Sequence, residues 1–154
     1  MKKIVSIAFL LALASPAVAD IIGKPTVIAG DIMIVDGVRV HLHGIDAPEP
    51  NQVCFAKGKN YSCGLVARTA LMDLVAGVSV NCRIEDTAGR VAAYRYAYCE
   101  AGGFDLSSNM VHTGWALADR ASTDKYVAVE QRAKEAKRGL WRGKFAPPWE
   151  WRGR

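Results

Sequence analysis

Two β-forming runs on either side of Asp36-Gly37 limit most tightly what this chain can fold into. Ile32-Met33-Ile34-Val35 precedes the dipeptide and Val38-Arg39-Val40-His41-Leu42 follows it. Asp-Gly between such runs signals a type I′ turn, whose two central residues both need positive φ. The simple ladder from a two-residue turn sets Asp31 opposite Leu42, although one bulge would change that register. Alternation along the second run puts Val38, Val40 and Leu42 on one face and Arg39, His41 and His43 on the other. One face is therefore core, and the other meets solvent or a site.

Further along, Tyr61 to Ala76 has a helical pattern, with Leu65, Leu71, Leu74 and Val75 on or near one stripe and Gly77 as its stop. Val78–Ile84 and Val91–Cys99 are strand-like. Asp105–Thr113 reads as a short helix ended by Gly114, and a last helix starts near Ser122 or Thr123 and runs to Gly139. The Pro- and Trp-rich tail from Phe145 to Trp151 suits an extended segment laid over the domain. Short early strands followed by interspersed helices point to an α+β fold, a small OB-type β-barrel with helices packed on it.

The N-terminal residues carry Lys2 and Lys3, an apolar run of 11 residues from Ile4 to Ala14, and Ala17-Val18-Ala19 before Asp20. This is the pattern of a cleaved signal peptide over residues 1–19, and the run is short of the roughly 20 residues that span a bilayer. A periplasmic or secreted domain over residues 20–154 is expected, with no stable membrane insertion after cleavage. Without Lys2 and Lys3 the 20 basic residues fall to 18 against 15 acidic ones, so the net charge drops from +5 to +3. Such a balance is compatible with a polyanionic partner but weak evidence for one.

Four cysteines in an exported chain favour two disulfides. Of the three possible pairings, Cys54 with Cys63 closes a short loop ahead of a helix, and Cys82 with Cys99 ties two neighbouring strand segments, so these two are preferred. No C-x-x-C or partnering His spacing supports zinc. The histidines 41, 43 and 112 read as surface residues, and the charged run from Lys134 to Arg138 reads as a solvated helix face. Trp115 and Trp141 are core candidates, and Tyr126 is explained by helix packing.

Asp31, after Ala29-Gly30, and Asp46 and Glu49, within Gly44-Ile45-Asp46-Ala47-Pro48-Glu49, bring three carboxylates into a short stretch rich in strand formers. Two carboxylates from separate loops, a main-chain carbonyl and waters suit a hard cation such as Ca²⁺, leaving the third carboxylate as a base. Two turn aspartates and a surface glutamate fit the same spacing.

Taken with Leu42-x-Gly44, Gly89-Arg90, Asp105-Leu106, Met110-Val111-x-x-Gly114-Trp115-Ala116, Glu130 and Arg138-Gly139-Leu140-Trp141, these pieces make nearly the whole chain after residue 19 resemble the staphylococcal-nuclease-like family. The closing Pro148-Trp149-x-Trp151-Arg152 and the cysteines are similar to an exported, disulfide-containing proteobacterial branch. The resemblance implies a five-stranded OB barrel with three helices and a Ca²⁺-dependent nuclease acting on DNA or RNA. It places Asp31, Asp46 and the carbonyl of Ala47 as metal ligands and Glu49 as the group that activates or positions water. His41 stands where the family has its first catalytic arginine, and a partly charged imidazole cannot reproduce a bidentate guanidinium clamp. Arg39, two residues earlier on the same face, is a candidate to reach the phosphate. The second arginine matches Arg90, while the spacing back from Asp105-Leu106 reaches Tyr94, with Arg95 beside it. Two functions follow: an exported nuclease, or a catalytically impaired barrel that binds nucleic acid or another polyanion without cutting it. Nothing in the chain requires more than a monomer.

Overall fold

The computed structural model describes residues 20–85 and 93–153. The expected signal peptide, the Gly89-Arg90 pair and the start of the strand expected at Val91 lie outside the described residues. Eleven short strands and four α-helices follow in the order β1 (Ile21–Gly23), β2 (Thr26–Val27), β3 (Ile32–Val35), β4 (Val38–Leu42), β5 (Ile45–Asp46), β6 (Cys54–Ala56), β7 (Lys59–Tyr61), α1 (Cys63–Leu74), β8 (Val80–Ile84), β9 (Arg95–Ala101), β10 (Phe104–Asp105), α2 (Leu106–His112), β11 (Leu117–Ala118), α3 (Val127–Glu135) and α4 (Pro148–Arg152) among the described residues.

The main sheet runs β1-β8-β9-β4-β3-β2, with β10 beside β9. All its pairings are antiparallel except β4 with β9. It curls around one core, and the helices pack on it, as expected of an α+β, OB-type fold. Asp36 and Gly37 have φ of 48° and 75°, as a type I′ turn needs. The ladder pairs Ile32 with His41 and Met33 with Val40, and the Leu42 N–H donates to the Asp31 carbonyl at 2.8 Å. The expected register therefore holds without a bulge.

Met33, Val35, Val40 and Leu42 from this hairpin are fully buried with Val80, Cys82, Ala97 and Cys99 of β8 and β9. Leu71 of α1, Leu106 and Met110 of α2 and Tyr126 at the start of α3 close the same core. Each large apolar side chain so buried contributes about 1.5–3 kcal/mol. Both preferred disulfides are formed, Cys54–Cys63 and Cys82–Cys99. The second joins residues that face each other across β8 and β9.

Several expectations need correction. The helix expected from Tyr61 starts at Cys63, because Lys59–Tyr61 pairs with Cys54–Ala56 as a hairpin clamped by the first disulfide. Its buried stripe is Ala67, Leu71 and Val75, spaced by four residues, and Leu65 points out. The last helix begins at Val127 rather than near Ser122, since the Asp119 side chain accepts from the Ala121 N–H and the Ser122 hydroxyl and holds a turn there. His43 is buried against Tyr98 instead of lying at the surface. The tail is not wholly extended: Pro148 opens the short helix α4, where a proline's fixed φ fits the first turn and its missing N–H costs nothing. No described helix is long and apolar enough to cross a membrane.

Candidate active site

Two backbone features bring the acidic residues together. Gly44 has φ of 80°, and a Cβ there would press into Thr123 and the buried ring of Tyr126, so the chain can turn from β4 into β5 only with glycine. Gly64, in the first turn of α1, lies so close under the Glu49 carbonyl that a Cβ would overlap it. α1 thus seats the Asp46–Glu49 turn directly. Gln52 completes it: its N–H donates to the Glu49 carbonyl at 2.8 Å, and its Oε1 accepts from the Glu49 N–H at 3.2 Å.

Asp31, Asp46 and Glu49 line one open pocket of about 680 Å³, whose walls include Ile32, His41, Ile45, Tyr94 and Tyr96. Asp31 is buried, and its Oδ2 accepts from the Ala47 N–H at 2.8 Å. Burial pushes its pKa up to about 6, opposed by His41 and by the Ala47 N–H. His41 lies between Asp31 and the tyrosines: Nδ1 donates to the Leu42 carbonyl at 3.0 Å, Nε2 stands 3.5 Å from Asp31 Oδ2, and the ring packs on Tyr96 with centroids 4.9 Å apart.

The arginine candidates divide. Arg39, exposed, packs its guanidinium over the ring of Tyr94, a pocket-lining residue, at 5.0 Å, and is not itself among the residues lining the pocket. Arg95 pairs with Val40 in the ladder, and therefore points to the opposite face from His41 and Tyr96. Arg90 lies outside the described residues.

Arg120, Trp149 and Arg152 line the pocket without having been singled out from sequence for this site. Arg120 pairs with the buried carboxylate of Glu130 at 2.6 Å, while Glu130 also accepts from the Ala118 N–H. Arg152 reaches both remaining acids. Its Nη1 and Nη2 donate to the two Asp46 oxygens at 3.0 and 2.7 Å, and Nη1 also donates to Glu49 Oε1 at 2.6 Å. These charge-assisted bonds raise the Arg152 pKa further. The only sequence signal was an Arg closing a Pro/Trp-rich tail, and nothing local ties residue 152 to residue 46.

The arrangement brings hard oxygen donors and guanidinium donors together in one pocket. Among the described residues, no three His, Cys, Asp or Glu side chains gather as a metal-holding group. The donor chemistry nevertheless fits a hard cation: Asp31 carries a burial penalty that positive charge would relieve, and Asp46 and Glu49 are already bridged by one cationic group.

Comparison with known proteins identifies the family of the chain. The chain is 37% identical over 131 residues to the succinoglycan biosynthesis protein ExoI of Rhizobium meliloti (strain 1021), covering 82% of this chain and 67% of that protein. It is 31% identical over 157 residues to protein ParB of Escherichia coli, covering 92% of this chain and 85% of ParB. A third relative is the probable staphylococcal-like nuclease CAN1 of Oryza sativa subsp. japonica, 29% identical over 128 residues, which make up 80% of this chain but 35% of CAN1. A family model described as Staphylococcal nuclease homologue matches residues 39–143, more than half of the 154 residues. The chain belongs to the staphylococcal nuclease homologue family.

Proposed function

We propose that this protein is an exported Ca²⁺-dependent nuclease that hydrolyses phosphodiester bonds of DNA or RNA. The observation that carries the reading is the meeting of Asp31, just before β3, with Asp46 and Glu49 of the stretch that follows β4, in one solvent-open pocket. Asp31 and Asp46, with the Ala47 carbonyl, are the residues to hold the ion. Bound there, Ca²⁺ would neutralise phosphate charge and orient the attacking water. Glu49, half-buried at the pocket edge, takes a proton from that water as its oxygen bonds to phosphorus, and the alcohol oxygen departs with its bonding pair. The two disulfides suit an oxidising compartment, in keeping with a signal peptide over residues 1–19. The OB-type domain over residues 20–154 would then act in the periplasm or outside the cell, as a monomer.

A second reading has its own support. His41 spends one ring nitrogen on the Leu42 carbonyl and faces Asp31 with the other, so it offers no paired donors to a phosphate. On that reading the barrel holds nucleic acid or another polyanion without cutting it. The experiment that separates the two is incubation of the oxidised protein with single-stranded DNA and RNA in Ca²⁺ or in excess chelator, beside Asp46→Ala. Cleavage that needs both Ca²⁺ and Asp46 supports the nuclease, whereas binding without cleavage by folded protein supports the second reading.

A further inference from the structure

The C-terminal helix lies beyond the region matched by the family model, which ends at residue 143, yet it forms one wall of the pocket. Three links hold it there. The Phe55 and Lys144 backbones exchange hydrogen bonds at 2.9 and 2.8 Å, the fully buried Gln52 donates its Nε2 to the Ala146 carbonyl at 2.7 Å, and the Trp151 indole N–H reaches Asn51 Oδ1 at 3.4 Å. Cys54, next to Phe55, is pinned by its disulfide to the start of α1. The helix is therefore docked on the same turn that carries Glu49, and its placement is built rather than incidental.

Trp149 and Arg152 are three residues apart on α4, a spacing that puts both on one helix face. Both line the acidic pocket, and Trp149 is 47% exposed. Both guanidinium groups in the pocket wall are paired and about half exposed, Arg120 with buried Glu130 and Arg152 with Asp46 and Glu49, so Arg152 is the one bound to the acids of the pocket. A phosphate drawn to those acids by a bound cation would lie beside Arg152, whose planar fork suits phosphate oxygens as well as the carboxylates it now bridges. An exposed indole beside a guanidinium is the pairing that holds one nucleotide of a single strand, the ring under a base and the fork on the backbone.

We infer that α4 is a nucleotide-binding arm, in which Arg152 contacts the phosphate at the cleavage site and Trp149 stacks on an adjoining base. The inference rests on the nuclease reading and names the residues through which that site takes a single-stranded substrate. It also supplies the site with a guanidinium from the far end of the chain, in place of one from the strand that carries His41.

The test is equilibrium binding by fluorescence anisotropy in Ca²⁺. The ligands are a labelled phosphorothioate oligothymidylate and a base-free oligomer of the same length, and the proteins are the oxidised protein, Arg152→Ala, Arg152→Lys, Trp149→Ala and Trp149→Phe. Cleavage of the ordinary oligomer is followed in parallel, with Asp46→Ala. Arg152→Ala is expected to weaken both ligands about tenfold, with Arg152→Lys in between. Trp149→Ala is expected to weaken only the base-bearing ligand, about fivefold, and Trp149→Phe to restore most of it. Equal or tighter binding by Arg152→Ala would overturn the inference and make α4 a plug, and so would a protein that binds neither ligand. Loss of binding in Arg152→Ala, when the unmutated protein binds but does not cut, would sink the nuclease and keep the arm. Cleavage unaffected by Arg152→Ala but abolished by Asp46→Ala would do the reverse.

Discussion

The Gln52 side chain, fully buried, donates to the carbonyl of Ala146, 94 residues away, at 2.7 Å. Its oxygen accepts from the Glu49 N–H, so one amide joins the turn bearing an acidic pocket residue to the segment that leads into α4. Gln52→Ala leaves the partly buried Ala146 carbonyl and Glu49 N–H without this amide, opens a void where the buried side chain stood, and is expected to cost about 2 kcal/mol. Urea denaturation measures that loss. Limited proteolysis should also show earlier cleavage between Lys144 and Trp151 than in the unmutated protein.

Asp31 gives a pH dependence with a defined sign. Its folded pKa is raised to about 6 from 3.8, so its contribution to stability is most favourable below the unfolded value and is lost as pH rises through about 6. A cation bound to the ionised carboxylate reverses that loss. The rise in Tm on adding Ca²⁺ should therefore be larger at pH 7.5 than at pH 5, and Asp31→Asn should flatten the difference. Thermal unfolding in Ca²⁺ and in chelator at the two pH values checks both statements.

His41→Arg places a guanidinium where a ring now spends one nitrogen on its own backbone. On the second reading, which leaves the site without a phosphate clamp, the change raises kcat/KM on single-stranded DNA about tenfold, the scale of one added charge-assisted contact in the transition state, whereas a site already served by Arg152 shows no such gain. Steady-state kinetics at fixed Ca²⁺ is the check, and equal activity in both forms would argue that the site lacks no guanidinium.

The two disulfides should differ in what they protect. Their sequence separations of 9 and 17 residues correspond to about 2.5 and 3 kcal/mol of loop-closure stabilisation. The Cys54→Ser/Cys63→Ser pair should lose nucleotide binding as well as stability, because the Phe55–Lys144 link beside it carries the tail. The Cys82→Ser/Cys99→Ser pair, remote from that link, should lose stability with less effect on binding. Chemical denaturation and anisotropy on both pairs decide it.

Tyr126→Phe removes the hydroxyl that donates to Asp105 Oδ2 at 2.9 Å and leaves the buried ring under Gly44 in place. The expected loss is about 1 kcal/mol, because Asp105 keeps Lys125 and still caps α2 through the Ser108 N–H. Equilibrium denaturation gives the value.

Local chemistry made much of this molecule legible in advance. Asp36-Gly37 determined the hairpin and its register because a two-residue turn with positive φ at both positions leaves one pairing. That register set Asp31 beside the end of β4, and the Gly44–Glu49 stretch brought in Asp46 and Glu49. The sequence also pointed to both disulfides and to the family. It was less informative wherever a side chain's fate depended on a distant partner. His43 alternates like a surface residue but is buried, because β9 brings Tyr98 against it. Arg39 and Arg95 are both basic and near the site in sequence, yet Arg39 packs on Tyr94 and the parity of β9 turns Arg95 away from His41. Arg152 is the largest gap between the two views. Its contacts lie 103 and 106 residues back along the chain, and they exist only because Gln52, Phe55 and the Cys54–Cys63 bridge dock the tail. Turn chemistry and alternation act over a few residues, so the sequence alone determined the hairpin and the acidic turn, while long-range packing and buried hydrogen bonds decided which cation faces those acids.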